Sequence, residues 1–395
     1  RAFFHPRVST MNILFVTEDH SIRNYGITAV VSQLADHLVA LDPDIRLSIL
    51  AAGKDPVAQD LRIKIITVPL SGLAGFWGWN SNLEAVMRQA VIDDKIDLIH
   101  IHGIWMASQW TALKVTKNLG IPCVVSSHGM LETWLWEGQR KLQKLKKKLY
   151  FNLVFKPALN PNVAFHAITP IEQDSLKRQL PGHLVNVIPN AINVENSSPR
   201  HAEGQPGKQF LFLGRLHPVK AVDVLIEAFH KADLGEEWRL IIAGPEYVPE
   251  YVEKLKEMVR NYHLENKIVF SGPVYGEQKD RLIEGTWALV IPSYSEVMGM
   301  VNLEAAAMEV PGITTYETGL WDWEEGGGLL THPDVIDLSE ALKKAAGWDL
   351  KERQTRGKRS RLLVAERYSW KTVIPKWIEL YTTFANQNQS ARKDE

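Results

Sequence analysis

From Met11 onward, short β-branched or aliphatic runs alternate with longer amphipathic stretches, and a chain written this way has few folds open to it. Parallel strands need long crossover connections, and helices supply them, so the alternation predicts an α/β architecture with doubly wound sheets. The predicted strands of the first half are 13–16, 45–50, 63–68, 98–101, 123–126, 163–168 and 185–188. The pattern stops at 193–208, NVENSSPRHAEGQPGK, whose Pro, Gly, Ser and Asn content is that of a linker. It then restarts with strands 210–213, 240–243, 268–270, 288–291 and 312–315 and helices such as 221–231 and 251–262. After Tyr368 the chain reads as one long helix in which Val373, Trp377, Leu380, Tyr381 and Phe384 recur at helical spacing, and it is expected to pack back on the first domain. The expected division is therefore 11–192 with 372–395, a linker at 193–204, and a second domain at 205–371.

Length agrees with two domains, since 395 residues exceed the roughly 250 to 300 at which single cores stop growing. The 45 Lys and Arg residues balance 46 Asp and Glu, so the net charge of −1 gives no reason to expect a nucleic-acid partner. A single cysteine, Cys123, excludes an internal disulfide and is expected to be a buried strand residue. No apolar run reaches the length of a membrane span, and the opening RAFFHPRVST lacks a signal-peptide core, so a cytoplasmic location is expected and residues 1–10 are read as an extension.

Ligands of open α/β sheets bind beyond the carboxyl ends of the strands. The first such turn, EDHSIRNYGITAVV, carries one glycine, Gly26, and neither a dinucleotide fingerprint nor a Walker sequence occurs, which weighs against dehydrogenases and P-loop nucleotidases. The strand 210–213 ends in Gly214, followed by Arg215 and Lys220, two cations able to reach a diphosphate or, equally, to stand solvated in an ordinary loop. Strand 288–291 leads through Glu296 and Gly299 into a helix expected to begin near Asn302. Backbone N–H groups at Gly299, Met300 and Val301 would then face an anion, with Glu304 in the first helical turn. Glu304 is assigned to a ribose diol and Glu296 to sugar hydroxyls; the alternative is a dipole-compensating residue and a loop charge.

Glu296 to Glu304 with Gly299 between them resembles the E-x-x-G-x-x-x-x-E signature of retaining glycosyltransferases of the GT-B fold, in family four. Gly214-Arg215-Leu216 with Lys220 resembles that family's cation pair, and Val187 to Ala191 its approach to the linker. Ser126-Ser127-His128-Gly129-Met130-Leu131 is similar to members that build bacterial surface polysaccharides, and Arg367-Tyr368-Ser369-Trp370 to the start of the closing helix. The chain departs from the family pattern at Tyr25-Gly26, at Ala221 and Glu309 where glycine is usual, and at Met298 where Phe is common. Tyr25 is expected to narrow a pocket and the others to be packing variants.

The resemblance implies a GT-B fold with two Rossmann-like domains facing a cleft, acceptor-side first and donor-side second. It implies transfer of a sugar from a nucleotide diphosphate sugar to an acceptor hydroxyl with retention, without an essential metal or cofactor, in exopolysaccharide or surface polysaccharide biosynthesis. UDP-glucose is the first candidate donor, its base met near Gly244, Pro245 and Val274, with Gly26 also on the donor side. His128 is then a reaction-centre residue, catalytic together with Glu296, Arg215 and Lys220, and His102, Trp105 and Trp134 are acceptor-side candidates. The acceptor would be a saccharide or lipid-linked saccharide.

His100 and His102 fall on one strand face but lack a third metal ligand, so a polar cleft lining is expected. Asp42-Pro43-Asp44 has D-x-D spacing, which a Pro-containing turn explains. Residues 140–149 form a basic helix with Leu142, Leu145 and Leu149 on one face, either docking on anionic lipid or simply solvated. The competing functions are a silent nucleotide-sugar-binding protein and a pyridoxal-phosphate phosphorylase of the same architecture.

Overall fold

A computed structural model describes residues 10–18, 26–52, 60–69, 77–132, 141–195 and 206–391, the side chains of the last as far as 386. The chain divides into two compact units, Arg1–Pro189 with Val373–Glu395, and Asn190–Thr372.

The first unit is built on seven parallel strands: β1 Met11–Thr17, β2 Ile45–Ala52, β3 Lys64–Val68, β4 Leu98–His102, β5 Cys123–Ser126, β6 Val163–Ala167 and β7 Val185–Val187. Their order is β3-β2-β1-β4-β5-β6-β7, so the chain works outward from β1 to one edge and then crosses to build the other. Helices cover both faces, which is why Ile13 to Val16 form an unbroken apolar run rather than an alternating one. The second unit repeats the plan with β8 Gln209–Leu213, β9 Arg239–Ala243, β10 Ile268–Gly272, β11 Ala288–Ile291, β12 Gly312–Thr315 and β13 Leu329–Thr331, in the order β10-β9-β8-β11-β12-β13. The edge strand β13 escaped the sequence reading because three residues after a run of glycines carry no period.

Helix Trp370–Ala391 runs through Pro375, and its portion from Val373 belongs to the first unit, where Trp377 and Tyr381 pack on the histidines of β4 and β6. Asp42 caps the helix Ile27–Leu41 and its Oδ1 accepts from the Asp44 amide at 3.0 Å, so the D-x-D is a turn. Cys123 is fully buried, and burial pushes its thiol far above the usual range.

Two of the departures from the family pattern are backbone features rather than packing variants. Ala221 (φ 50°) and Glu309 (φ 59°) both stand in the left-handed region, where glycine carries no Cβ penalty. Ala221 follows the 3₁₀ turn Pro218–Lys220, so the predicted helix begins one residue later, at Val222. Met298 is buried, as a substitute for a ring should be. Tyr25 lies outside the described residues.

Candidate active site

In the second unit, a cavity of about 210 Å³ is lined by Phe212, Leu213, Gly214, Arg215, Lys220, Ile291, Glu296, Gly299 and Val301. Six of these were singled out in the sequence, from two stretches eighty residues apart. They meet because β8 and β11 are neighbours in the sheet and both loops leave its carboxyl edge. The loops are tied together by Tyr294 N–H donating to the Val219 carbonyl at 2.9 Å. Two larger hollows in the first unit, beside Leu184 and beside His37, contain none of the predicted site residues.

Lys220 Nζ lies 3.0 Å from Glu296 Oε1, with both side chains mostly buried. The Ser293 hydroxyl donates to the same carboxylate oxygen at 2.6 Å. Glu304 pairs with Lys279, absent from the sequence reading, at 3.1 Å. Each predicted glutamate therefore carries a lysine. Arg215 is exposed and its guanidinium sits over the Tyr247 ring at 5.0 Å, a stacking arrangement that leaves its N–H edge available.

Three expectations change here. Gly299 N–H donates to the Thr318 carbonyl and Met300 N–H to the Met298 carbonyl, so of the three amides assigned to an anion two are already bonded. The helix runs Met300–Ala307, which moves Glu304 out of its first turn. Gly244 (φ 148°) and the exposed Pro245, expected near the base, also brace the Arg215 loop. A Cβ on Gly244 would lie 1.8 Å from the Gly214 carbonyl oxygen, and the Pro245 carbonyl accepts from Leu216 N–H at 2.9 Å. Val274 is buried in the core of the second unit. Gly26 stands exposed at the start of the helix Ile27–Leu41.

In the first unit, His128 follows β5, half-buried, with φ 49°, a conformation costing a non-glycine residue on the order of 1 kcal/mol. Its Nε2 lies 3.1 Å from Nδ1 of His102. Burial among neighbouring histidines pushes its pKa down to about 3, so it is neutral at physiological pH. His102 and His100 are buried rather than open to solvent, and the contact of His102 on this side is with His128. Trp105 packs beside the first unit's core, its carbonyl accepting from Trp77 Nε1 at 2.8 Å, while Trp134 lies outside the described residues.

A chain of hydrogen bonds that the sequence did not announce runs beneath. His166 Nε2 lies 2.7 Å from the Ile188 carbonyl, which can only accept, so Nε2 carries the proton and Nδ1 accepts from the Ser126 hydroxyl at 2.7 Å. The Ser126 oxygen then accepts from His100 Nε2 at 2.7 Å, and His100 Nδ1 accepts from Tyr381 O–H at 2.8 Å. This direction requires both histidines neutral, and burial holds His166 down at about 4 and His100 well below its usual value. Among the described residues no group of three or more His, Cys, Asp or Glu could hold a metal ion.

Two parallel-sheet units, with a cavity at strand ends lined by two cations and a glutamate, are the arrangement of the glycosyltransferases of the GT-B fold. The chain belongs to the group 1 glycosyltransferases: residues 25–196 match the model "Glycosyltransferase Family 4" and residues 193–361 the model "Glycosyl transferases group 1". It is 25% identical over 397 residues to a GDP-mannose:cellobiosyl-diphosphopolyprenol alpha-mannosyltransferase of Xanthomonas oryzae pv. oryzae, covering 96% of this chain and 94% of that one. It is 23% identical to the phosphatidylinositol N-acetylglucosaminyltransferase GPI3 subunit of Saccharomyces cerevisiae, over 78% of this chain and 68% of that one. Sucrose-phosphate synthase from Thermosynechococcus elongatus shares the fold with a TM-score of 0.75 at 20% identity, over 94% of this chain and 98% of that one. Anabaena HepE, solved in complex with UDP-glucose, shares it with a TM-score of 0.70 at 17% identity, over 94% and 100%.

Proposed function

We propose that this enzyme transfers a sugar from UDP-glucose to a hydroxyl of a saccharide or lipid-linked saccharide, with retention and without a metal, during assembly of an exopolysaccharide or surface polysaccharide. The observation that carries the donor site is the convergence of Gly214, Arg215, Lys220, Glu296, Gly299 and Val301 on one cavity. The bond from the anomeric carbon to the diphosphate breaks, negative charge gathers on the leaving oxygens, and the acceptor oxygen takes the anomeric carbon while its proton passes to the leaving diphosphate. Arg215 and Lys220 are the cations that offset that charge. Lys220 is held by Glu296, so an arriving diphosphate shares an ammonium already in place rather than ordering a free side chain. Glu296, fixed by Ser293 and Lys220, is then positioned for sugar hydroxyls, and Glu304 for the ribose. Neutral His128 serves the transferred sugar as a hydrogen-bond partner.

The acceptor side of this reading includes a membrane surface. Helix Lys141–Tyr150 exposes Leu142, Leu145 and Leu149 beside its lysines, a pattern suited to anionic headgroups. No helix among the described residues is long and apolar enough to cross a membrane, and we assign the enzyme to the cytoplasmic face as a peripheral protein.

The test is transfer from UDP-glucose and from GDP-mannose, in EDTA, with the anomeric configuration read by NMR. Turnover of UDP-glucose with retention supports the proposal. Turnover of GDP-mannose alone overturns the donor, inversion overturns the stereochemistry, and total loss in EDTA restored by manganese overturns metal independence.

A further inference from the structure

The loop that carries His128 is strained, and something must hold it. Gly129 follows His128 in the same left-handed region, φ 75° after 49°, and Met130 N–H donates to the Ser127 carbonyl at 3.0 Å to close the turn. A buried carboxylate braces it. Glu172, 1% exposed, accepts through Oε1 from Gly129 N–H and from the Ser127 hydroxyl, both at 2.6 Å, and through Oε2 from Ile168 N–H at 2.8 Å. Burial raises the Glu172 carboxyl above the usual carboxylate range, and the three hydrogen bonds donated to it work against that rise.

Glu172 belongs to a capping sequence, Thr169-Pro170-Ile171-Glu172, in which the Thr169 hydroxyl accepts from the Glu172 amide. Its carboxylate would ordinarily turn back to the cap's own amide. Here it spans from the helix start to the loop after β5. Ser175 and Gln179, one and two turns along the same face of helix Pro170–Gln179, both donate to the Leu131 carbonyl, so the helix grips the loop at both ends.

We infer that Glu172 is the positioning residue for His128: its buried carboxylate, held by Ser127 and Gly129, fixes the left-handed His128-Gly129 turn and thereby sets the imidazole against His102. Among the described residues the Glu172 carboxylate meets N–H and O–H donors and no cation, so it acts through the backbone geometry it imposes. The inference rests on the proposed role of His128 only for its consequence in catalysis; the positioning itself is read independently.

The experiment uses the full chain as wild type, Glu172→Gln, Ser127→Ala, His128→Ala and the double variant Glu172→Gln/His128→Ala. The Glu172→Gln change leaves one acceptor oxygen where two are needed, whereas Ser127→Ala removes a single donor and keeps the fold. With histidines and glycines labelled in ¹⁵N, the Glu172→Gln spectrum should lose the low-field Gly129 amide and shift the His128 Nε2 resonance, and the Ser127→Ala spectrum should shift both by less, while the UDP-induced rise in Tm stays within about 1 °C of wild type, since binding to an intact donor site is unchanged. UDP release from UDP-glucose should fall about 100-fold in kcat for Glu172→Gln and less for Ser127→Ala, with KM within about twofold, as expected when a reacting group is misplaced rather than lost. The double variant should be no slower than His128→Ala. Unchanged His128 resonances in both single variants, or losses in the double variant that multiply, would overturn the inference. Wild-type turnover in His128→Ala would instead overturn the catalytic role of His128, leaving the spectroscopic result to decide the positioning.

Discussion

The two units hold their polar groups in opposite ways. In the first, His100, Ser126, His166 and Tyr381 form a closed chain in which each proton has one assigned place, and nothing is left over for a ligand. In the second, Lys220 with Glu296 and Lys279 with Glu304 are ion pairs at the rim of strand ends, and a ligand bearing phosphates and hydroxyls can enter either without leaving a buried charge unpaired. The lesson is that a satisfied network builds a rigid support, whereas an exchangeable pair builds a binding site. Sequence cannot separate the two, because both read as polar residues after strands.

Acid should break the first unit and spare the second. His166 titrates at about 4 when folded against 6.5 unfolded, and His128 and His100 are displaced the same way. The unfolded chain therefore binds more protons, so stability is full above pH 6.5 and drains as pH falls toward 4, by on the order of 3 kcal/mol for His166 alone. Urea unfolding at pH 7.5 and pH 5 measures this; a midpoint unchanged between them would mean that the chain of neutral histidines is not as drawn.

Removing a charge from the second unit should cost chemistry and little stability. Arg215→Ala, at an exposed cation, is expected to lower turnover by about 100-fold, the scale of one lost donor to a developing anion, with a Tm close to wild type. Transfer assays and thermal melts on one preparation would show it. In the first unit the pattern should invert, with Ser126→Ala losing about 2 kcal/mol through two orphaned histidine nitrogens while UDP binding persists. Equal stability losses for the two variants would erase the contrast.

The smallest effect lies in the backbone. Ala221→Gly and Glu309→Gly should each stabilise by up to about 1 kcal/mol by relieving left-handed strain, less the entropy glycine brings to the unfolded chain. Denaturant midpoints would register it, and a loss of stability at both positions would show that side-chain contacts outweigh the strain.

Much of this was legible beforehand. Strands β5 and β11 fall at their predicted limits because parallel strands buried on both faces announce themselves as largely apolar runs, and β12, Gly-Ile-Thr-Thr, does so through its β-branched residues. The cavity residues were legible because motif spacing survives folding: Arg215 with Lys220 and Glu296 with Gly299 are close in sequence, and the sheet order brings the two groups together. What stayed hidden depends on pairing across distance. Gly299 looked like an open amide until Thr318, nineteen residues on, turned its carbonyl back. Gly244 stood out as a possible ligand contact, but that any Cβ there would meet the Gly214 carbonyl is visible only in the fold. Lys279 and Tyr247 sit in unremarkable helical and loop contexts and gain meaning only from what they face. Glu172 had a signal in the Thr169-to-Glu172 capping sequence, although nothing local says that the carboxylate reaches a loop forty residues earlier. Tyr381 was expected on a buried helical face, yet its hydroxyl partner His100 lies 281 residues away.

The most direct test of the donor site is a thermal-shift comparison of UDP, GDP and ADP on the wild-type chain, Arg215→Ala and Glu304→Ala, because a ligand that binds only the folded protein must raise its melting temperature. The account predicts a rise with UDP that is lost in both variants. A rise with none of the three, or one that both variants retain in full, would contradict it.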